Sequence, residues 1–407
     1  MDGRKWIDTT ERYLSESGLN AVKKSIVPRF SVAVSCIGSD MGKAVLVKRD
    51  SVTNQQINTI LIDSEKWNPE YIYYLLTTKQ QFLKDIAGGS ATPILNKGHF
   101  GKVEIEVLSK DLQDKAASIL SAFDEKIRIN TQTNQTLEQI AQAIFKSWFV
   151  DFEPVKTKIA VLEAGGTAEL AELAAMSVIS GKDETALKQL QAEHPEQYAE
   201  LAQTAALFSS AMVESELGEI PEGWGVTDFG SVSECFDRKR IPLSKRQREK
   251  KQGNIPYYGA TSIMDYVDEA IFDDIYLLLG EDGSVLKKDG TPFVQYIWGP
   301  SWVNNHAHVL QGSNGISTEQ LMLFISMQNI TAYVTGAVQL KFNQKNMNSI
   351  PFIKASDSVN ASYQRLIEPL YEEIRTNSIQ NKALVEIRDS LLPRLLSSKI
   401  SVSEVAL

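Results

Sequence analysis

No run of 18 or more apolar residues occurs in the 407-residue chain, so a membrane span is not expected. The N-terminus, MDGRKWIDTTERYL, lacks the basic-then-apolar layout of a secretory signal. Cysteine is nearly absent. Cys36 and Cys235 stand far apart, without metal-ligand spacing and beside strand-like residues, which points to buried free thiols in a cytoplasmic protein. Histidine is as scarce, with only His99, His194, His306 and His308 to serve acid–base chemistry. No GxxxxGKS loop is present, which argues against a nucleotide-driven motor.

What the chain does contain is an ordinary globular composition, 43% apolar and 23% charged, in a length that suits two or more domains. The net charge of −9 argues at first against a polyanionic partner. Its distribution reverses that. Residues 163–222 hold twelve acids against Lys182 and Lys188, and the remainder of the chain has 40 Lys and Arg against 39 Asp and Glu. The acidity therefore belongs to one stretch and leaves room for a basic face elsewhere.

The chain also contains itself twice. KIRINTQTNQTLEQIAQAIFKSWF from Lys126 aligns with EIRTNSIQNKALVEIRDSLLPRLL from Glu373 at an offset of 247. The identical pairs are Ile127/Ile374, Arg128/Arg375, Asn130/Asn377, Asn134/Asn381, Leu137/Leu384 and Ile140/Ile387. The same offset pairs Asn96 with Asn343 and Val103 with Ile350. Further upstream, with gaps, SCIGSDMGKAVLV parallels LLGEDGSVL and the TNQQ at Thr53 parallels the VNNH at Val303.

Both repeated helices carry a 3.5-residue seam, the signature of a coiled coil. In the first copy it runs through Ala116, Leu120, Phe123, Ile127, Asn130, Asn134, Leu137, Ala141, Ile144 and Trp148. In the second it runs through Tyr363, Ile367, Leu370, Ile374, Asn377, Asn381, Leu384, Arg388, Leu391 and Leu395. Two asparagines at equivalent places cost stability but fix register, so the helices are expected to pair with each other, antiparallel, about a pseudo-two-fold axis. Ahead of each helix the pattern reads as mixed α/β. RFSVAVSCIG, KAVLVK, EAIFDDIYLLLG and PFVQYIWG are strand-like, and NPEYIYYLLTTKQQFLKDIA and TEQLMLFISMQNITAYV are helical. The expected fold is α+β, with two mixed α/β domains each followed by a long helix. ESELGEIPEGWG, with Pro221, Gly223 and Gly225, reads as a loop entering the second domain.

Chemistry-bearing constellations are few. His306 and His308 alternate in WVNNHAHVL and so share a strand face, but no third ligand accompanies them, which favours hydrogen-bonded structural histidines and no metal. GEDG at Gly280 reads as a turn. NPEY at Asn68 is similar to the NPPY-type motif of amino-group DNA methyltransferases, yet it looks like a helix start with Pro69 in the first turn. No glycine-rich strand-to-helix turn suits S-adenosylmethionine. The positive signal is DRKRIPLSKRQREKK, residues 237–251, with eight bases against Asp237 and Glu249. Such density suits phosphate neutralisation. Arg238, Lys239, Arg240, Lys245 and Arg246, with Tyr257 and Tyr258 shortly after, are the candidate DNA-binding residues of the second domain. Lys43 and Lys97 stand out from a scattered set in the first domain that includes Lys48, Arg49 and Lys102.

In their order along the chain these pieces resemble the specificity subunit of type I restriction–modification systems. The pieces are SVAVSCIGSDMGKA, TNQQIN, GSATPILNK, IFKSWFVDFEPV, ELGEIPEGW, IPYYGAT, LLLGEDGSV, WVNNHAHVL and IRDSLLPRLLS. The resemblance implies a first target-recognition domain at 1–108, a spacer helix at 109–150 and an acidic helical linker at 151–222. A second recognition domain at 223–354 and a second spacer helix at 355–400 follow. It implies double-stranded DNA with a two-part site as ligand and no cofactor on this chain. Two methyltransferase subunits would carry S-adenosylmethionine, and a motor-nuclease subunit would join them. The subunit itself would be non-catalytic; an autonomous adenine methyltransferase and a scaffold without DNA affinity are the rivals. The first domain, with 37 residues before Gly38 and no IPEGW-type entry, is expected to be shortened at its N-terminus.

Overall fold

The computed structural model describes residues 4–87, 94–336 and 339–397. The start of the GSATPILNK segment, residues 89–93, lies outside them, as does the end of the second expected spacer helix, residues 398–400. The chain forms two compact units, Met1–Thr133 with Asn377–Leu407, and Asn134–Thr376. The repeated helices run Lys110–Phe149 and Asp357–Leu396, 40 residues each. Among the described residues no helix is long and apolar enough to cross a membrane.

In the first unit a four-stranded sheet has the order Trp6–Ile7, Ala44–Val47, Val32–Ser35, Ile57–Ile60. The Trp6–Ile7 strand is parallel to its neighbour and the other pairings are antiparallel. The Ile57–Ile60 strand is a sheet edge. The expected single helix over NPEYIYYLLTTKQQFLKDIA is two, Pro69–Thr77 and Gln80–Asp85. It starts where NPEY suggested a start: the Asn68 side chain accepts from the amides of Glu70 and Tyr71, and Pro69 opens the first turn. Its apolar face, with Tyr71, Leu75 and Leu76, packs on Val32, Val34 and Leu46, and on Leu120, Leu395 and Leu396 of the long helices.

The second unit carries two four-stranded sheets. One has the order Ser233–Cys235, Ala307–Gly312, Tyr276–Gly280, Val294–Ile297, antiparallel throughout. The other has the order Ile263–Val267, Gln252–Tyr258, Pro300–Val303, Phe272–Asp273, and its central pair is parallel. The helix Thr318–Met327, capped by Ser317, takes the place of Pro69–Thr77. The acidic stretch folds into four helices, Glu153–Glu163, Ala168–Ser180, Glu184–Glu193 and Pro195–Ala206, around a small core of Ala175, Met176, Leu187 and Ala205.

The stretch expected to be a loop is instead a hairpin, Met212–Ser215 against Gly218–Pro221, followed by the strand Gly225–Asp228. Gly218, at φ +93, turns the hairpin. Trp224 is buried against Phe149 and Phe152, so the IPEGW segment is an aromatic anchor. A second correction concerns WVNNHAHVL. Asn304 accepts from the His306 amide at 2.8 Å and breaks the run into two strands, leaving His306 in the turn and His308 on the strand. The two histidines therefore do not share a strand face. Of the cysteines, Cys36 is buried as expected and Cys235 only half-buried.

Small polar devices repeat at equivalent places. Asn96 and Asn343 each cap a short helix, accepting from His99 and Asn346 at 2.9 Å. Asn54 accepts from the Gln56 amide as Asn304 does from His306. Cys36 bonds the Gln56 carbonyl and Glu281 the His306 carbonyl; in turn Leu95 bonds Cys36 and Phe342 bonds Glu281. Buried backbone groups must find partners, and both copies satisfy them in the same way.

Candidate nucleic-acid interface

The basic run begins with a 3-10 turn at Asp237–Lys239 and continues past Pro242 into the short helix Lys245–Lys250. Ser244 and Gln247 form a reciprocal capping box at its start. The bases divide into two groups. Arg240 is turned inward, its guanidinium pairing with Glu281 at 2.6 Å and Asp237 at 3.2 Å and donating to the Ala307 carbonyl. Arg248 pairs with Asp265 at 2.9 Å, donates to the Leu243 carbonyl and lies over the Tyr257 ring. Lys251 pairs with Glu269 at 2.6 Å. Among the described residues Arg238, Lys239, Lys245, Arg246 and Lys250 make no ion pair, and all five are exposed.

Two sequence candidates are therefore scaffold. Arg240 holds the run to the sheet. Tyr257 is 1% exposed, with its hydroxyl accepting from the Leu243 amide at 2.9 Å, so its ring cannot stack on a base. Tyr258 is half-buried, and burial raises its pKa. Beside the exposed bases lies a feature not read from the sequence: Ile241, Ile263, Met264 and Tyr266 are all at least 41% exposed. Periodicity gave no signal for them, because exposed apolar residues on a strand look the same in sequence as buried ones.

Below the run lies a four-ion cluster. His308, 1% exposed at its side chain, faces Asp237 through Nδ1 at 2.5 Å and donates from Nε2 to the Phe342 carbonyl at 2.6 Å. A carbonyl only accepts and a carboxylate accepts, so both ring nitrogens carry protons. Burial opposes that charge, but the Asp237 and Cys235 contacts outweigh it and raise the pKa to about 10. Burial likewise raises Asp237, and His308 reverses this, with a lowered pKa as the result. Ligand atoms of Cys235, Asp237 and His308 lie within 4.8 Å of one another. Both ring nitrogens are already engaged, Nδ1 with Asp237 and Nε2 with the Phe342 carbonyl. His306 is separately engaged with Asp282 at 2.5 Å.

The first unit offers a smaller basic set. Lys43 pairs with Asp40 at 2.8 Å, Lys48 pairs with Asp8 at 3.3 Å, and Arg49 donates to the Asp8 carbonyl. Lys97 lies in the Asn96-capped turn and lines an open cleft of about 670 Å³. Lys5 is a hub: it reaches Glu70 at 2.8 Å, the Tyr74 hydroxyl at 2.9 Å and Ser121 at 2.8 Å. Tyr74 also bonds Asp124, which pairs with Arg388 at 2.6 Å. The recognition sheet, its helix and both long helices thus share one polar network in this unit.

The expected seam positions of both long helices are buried or half-buried, and none is exposed. In the first unit Asn130, itself buried, donates to Gln380 at 2.7 Å and Asn381 at 3.0 Å. Phe123 and Leu391 pack into the core there, and Ile127 and Leu384 are half-buried. In the second unit Asn134 donates to the Ile374 carbonyl at 3.1 Å, and Leu137, Ile144 and Leu370 pack around Ile367, Tyr371 and Ile374. Asn377, in the first unit, is buried like Asn130. Within each unit partner numbers fall on one helix as they rise on the other, so the pairing is antiparallel.

A family model described as the type I restriction modification DNA specificity domain matches residues 3–139 and again residues 221–363. The chain belongs to that family. It is 31% identical over 389 residues to the HindI type I restriction enzyme specificity subunit of Haemophilus influenzae, covering 89% of this chain and 83% of that protein. It is 24% identical over 427 residues to the MjaIX specificity subunit of Methanocaldococcus jannaschii, covering 98% and 84%. A crystal structure of a type I restriction–modification S subunit from M. genitalium covers 91% of this chain at 16% identity, with a TM-score of 0.49 and 83% of its own chain matched.

Proposed function

We propose that this specificity-family chain reads a DNA site in two halves, one by each copy of the repeated domain, and that the helix pair sets the gap between them. The observation that carries this is the specificity domain matched twice, with each match running into a 40-residue helix. In the second domain Arg238, Lys239, Lys245, Arg246 and Lys250 hold phosphates, and Tyr258 borders them. The exposed Ile241, Ile263, Met264 and Tyr266 meet base edges, where apolar contact distinguishes the thymine methyl. In the first domain Lys43 and Lys97 serve the phosphates.

The chain itself carries out no chemistry on this reading. Two methyltransferase subunits bring S-adenosylmethionine and dock on the helix pair; a motor-nuclease subunit joins for restriction. The test is a map of methylated adenines in DNA exposed to the complex of this chain with its methyltransferase. Two short half-sites separated by an unread gap of fixed length are expected. One contiguous site, or S-adenosylmethionine binding by the isolated chain in calorimetry, would contradict the proposal.

A further inference from the structure

A cavity of about 450 Å³ lies wholly within the second unit. Six aromatic residues line it. Phe145 and Phe149 come from the end of the Lys110–Phe149 helix and Phe152 from just beyond it. Phe324 comes from the Thr318–Met327 helix, Phe352 from the strand Pro351–Lys354, and Tyr333 from the loop between them. Apolar walls of this extent with a few polar groups among them are the make-up of a small-molecule site. Val150 and Leu217, 45% and 44% exposed, stand in the lining and mark its mouth. The one charged residue of the lining, Glu219, is exposed and enters no ion pair among the described residues.

Gln320 also lines the cavity and is 1% exposed. Its orientation is fixed by Asn360, which is fully buried and donates from Nδ2 to the Ala355 carbonyl at 2.9 Å. The Asn360 Oδ1 is therefore the atom that meets Gln320, and it accepts from Gln320 Nε2 at 2.9 Å. That leaves Gln320 Oε1 as a pure acceptor, buried and without a partner among the described residues. The Tyr363 hydroxyl is buried without a partner too, so it does not supply the missing bond. In the first copy the same frame is complete. Gln113 donates to the Leu108 carbonyl at 2.7 Å, as Asn360 does to Ala355. Tyr71 is the third residue of its helix, as Gln320 is of the other. Its hydroxyl accepts from the Leu108 amide at 3.4 Å and donates to the Leu396 carbonyl at 3.3 Å. A buried acceptor without a donor is costly, so its retention at this place in the second copy points to a donor that arrives from outside.

We propose that this cavity binds a small arylalkylamine. Its flat ring lies against the phenylalanines, a ring N–H donates to Gln320 Oε1, and its ammonium group meets Glu219 at the mouth. The polar groups select this class because both are acceptors: Oε1 asks for a donor, and the Glu219 carboxylate asks for a cation. Aromatic walls favour a flat aromatic body and tolerate a cation beside them. A molecule held there touches the end of the long helix, the Thr318–Met327 helix and the Pro351–Lys354 strand at once, so it braces the second unit. This site does not depend on the DNA reading.

The test is calorimetric titration of the full chain with tryptamine as the probe. One molecule per chain is expected to bind. The ring N-methyl derivative of tryptamine leaves Oε1 unpaired and is expected to bind at least about tenfold more weakly. Glu219→Gln should weaken tryptamine by about twofold to fivefold and leave skatole, which keeps the ring N–H but has no ammonium, unchanged. Val150→Trp, a change at the exposed mouth, should block binding while circular dichroism shows the fold retained. No binding at tryptamine concentrations up to about 1 mM would overturn the proposal. So would equal affinity for tryptamine and its ring N-methyl derivative, or binding indifferent to Val150→Trp.

Discussion

The two recognition domains are alike where the backbone must be satisfied and unlike where a ligand would be met. Asn96 and Asn343 cap the same turn, and Asn54 and Asn304 hold the same bend. Glu70 and Glu319 occupy the same place in the first turn of their helices and each meets a base tied to a long helix. Glu70 does so through Lys5, which also reaches Ser121, and Glu319 faces Arg375 at 3.6 Å. Among the described residues the second domain adds a second four-stranded sheet, where the first has only the two-stranded pair Ile26–Val27 and Ser51–Val52, and a basic run with the His308–Asp237–Arg240–Glu281 ion cluster beneath it. Duplication has kept the frame and freed the surface. What recurs is structural, and on the proposed reading specificity resides in what does not.

The largest effect is expected where the copies differ most. Asp237→Ala leaves the His308 imidazolium and the Arg240 guanidinium short of a partner in a buried place. Breaking a buried pair in this way costs about 3 kcal/mol or more. Urea denaturation should report that loss, and hydrogen exchange should confine it to the second unit. A loss under about 1 kcal/mol would mean that the cluster is solvated and the contrast between the domains is overdrawn.

The same cluster gives the domains different pH responses. The His308 pKa is raised from 6.5 to about 10, so its stabilisation is complete below pH 6.5 and is lost as pH rises through about 10. Melting of the second unit should therefore fall between pH 7 and 10.5 while His308→Gln, already weakened, shows a flatter profile. Equal alkaline sensitivity in the two proteins would break this contrast.

Next in size is the division within the basic run. Replacing Lys245, Arg246 and Lys250 by alanine should weaken DNA binding of the complex and reduce the slope of log affinity against log salt by up to about 0.9 for each phosphate no longer neutralised. Lys251→Ala, which removes a base already paired with Glu269, should leave that slope unchanged. The smallest effect belongs to the shared frame. Asn130→Leu with Asn381→Leu should raise the melting temperature slightly yet loosen helix register, read as a broader range of accepted spacer lengths. A lowered melting temperature with an unaltered spacer would deny the asparagines that role.

How much of this was legible in the sequence followed the range of the interactions. The long helices and their seam were readable because a 3.5-residue period is a local signal over many turns, and the helix start at Asn68 because a cap acts within three residues, whereas Asn96 and Asn343 showed only as a repeated pair and not as caps. Residues that depend on distant partners were not. Arg240 reads as one more solvated base until Glu281, 41 positions away, is beside it, and Tyr257 reads as a surface aromatic until Leu243 covers its hydroxyl. The hairpin ahead of Trp224 was hidden because its glycines and proline signal a turn without saying what flanks it. His306 and His308 were separated by a hydrogen bond from the His306 amide to the Asn304 side chain, two residues back, that alternation alone does not reveal.

The most direct measurement is the methylation map of a complex whose specificity chain has one heptad added to each long helix at the Asn130–Asn381 crossing. Seven helical residues add about 10.5 Å. That corresponds to about 3 base pairs at about 3.4 Å each. Both half-sites should be retained and the unread gap between them should lengthen accordingly. An unchanged gap with the same half-sites would contradict a helix pair that measures the distance between two reading domains.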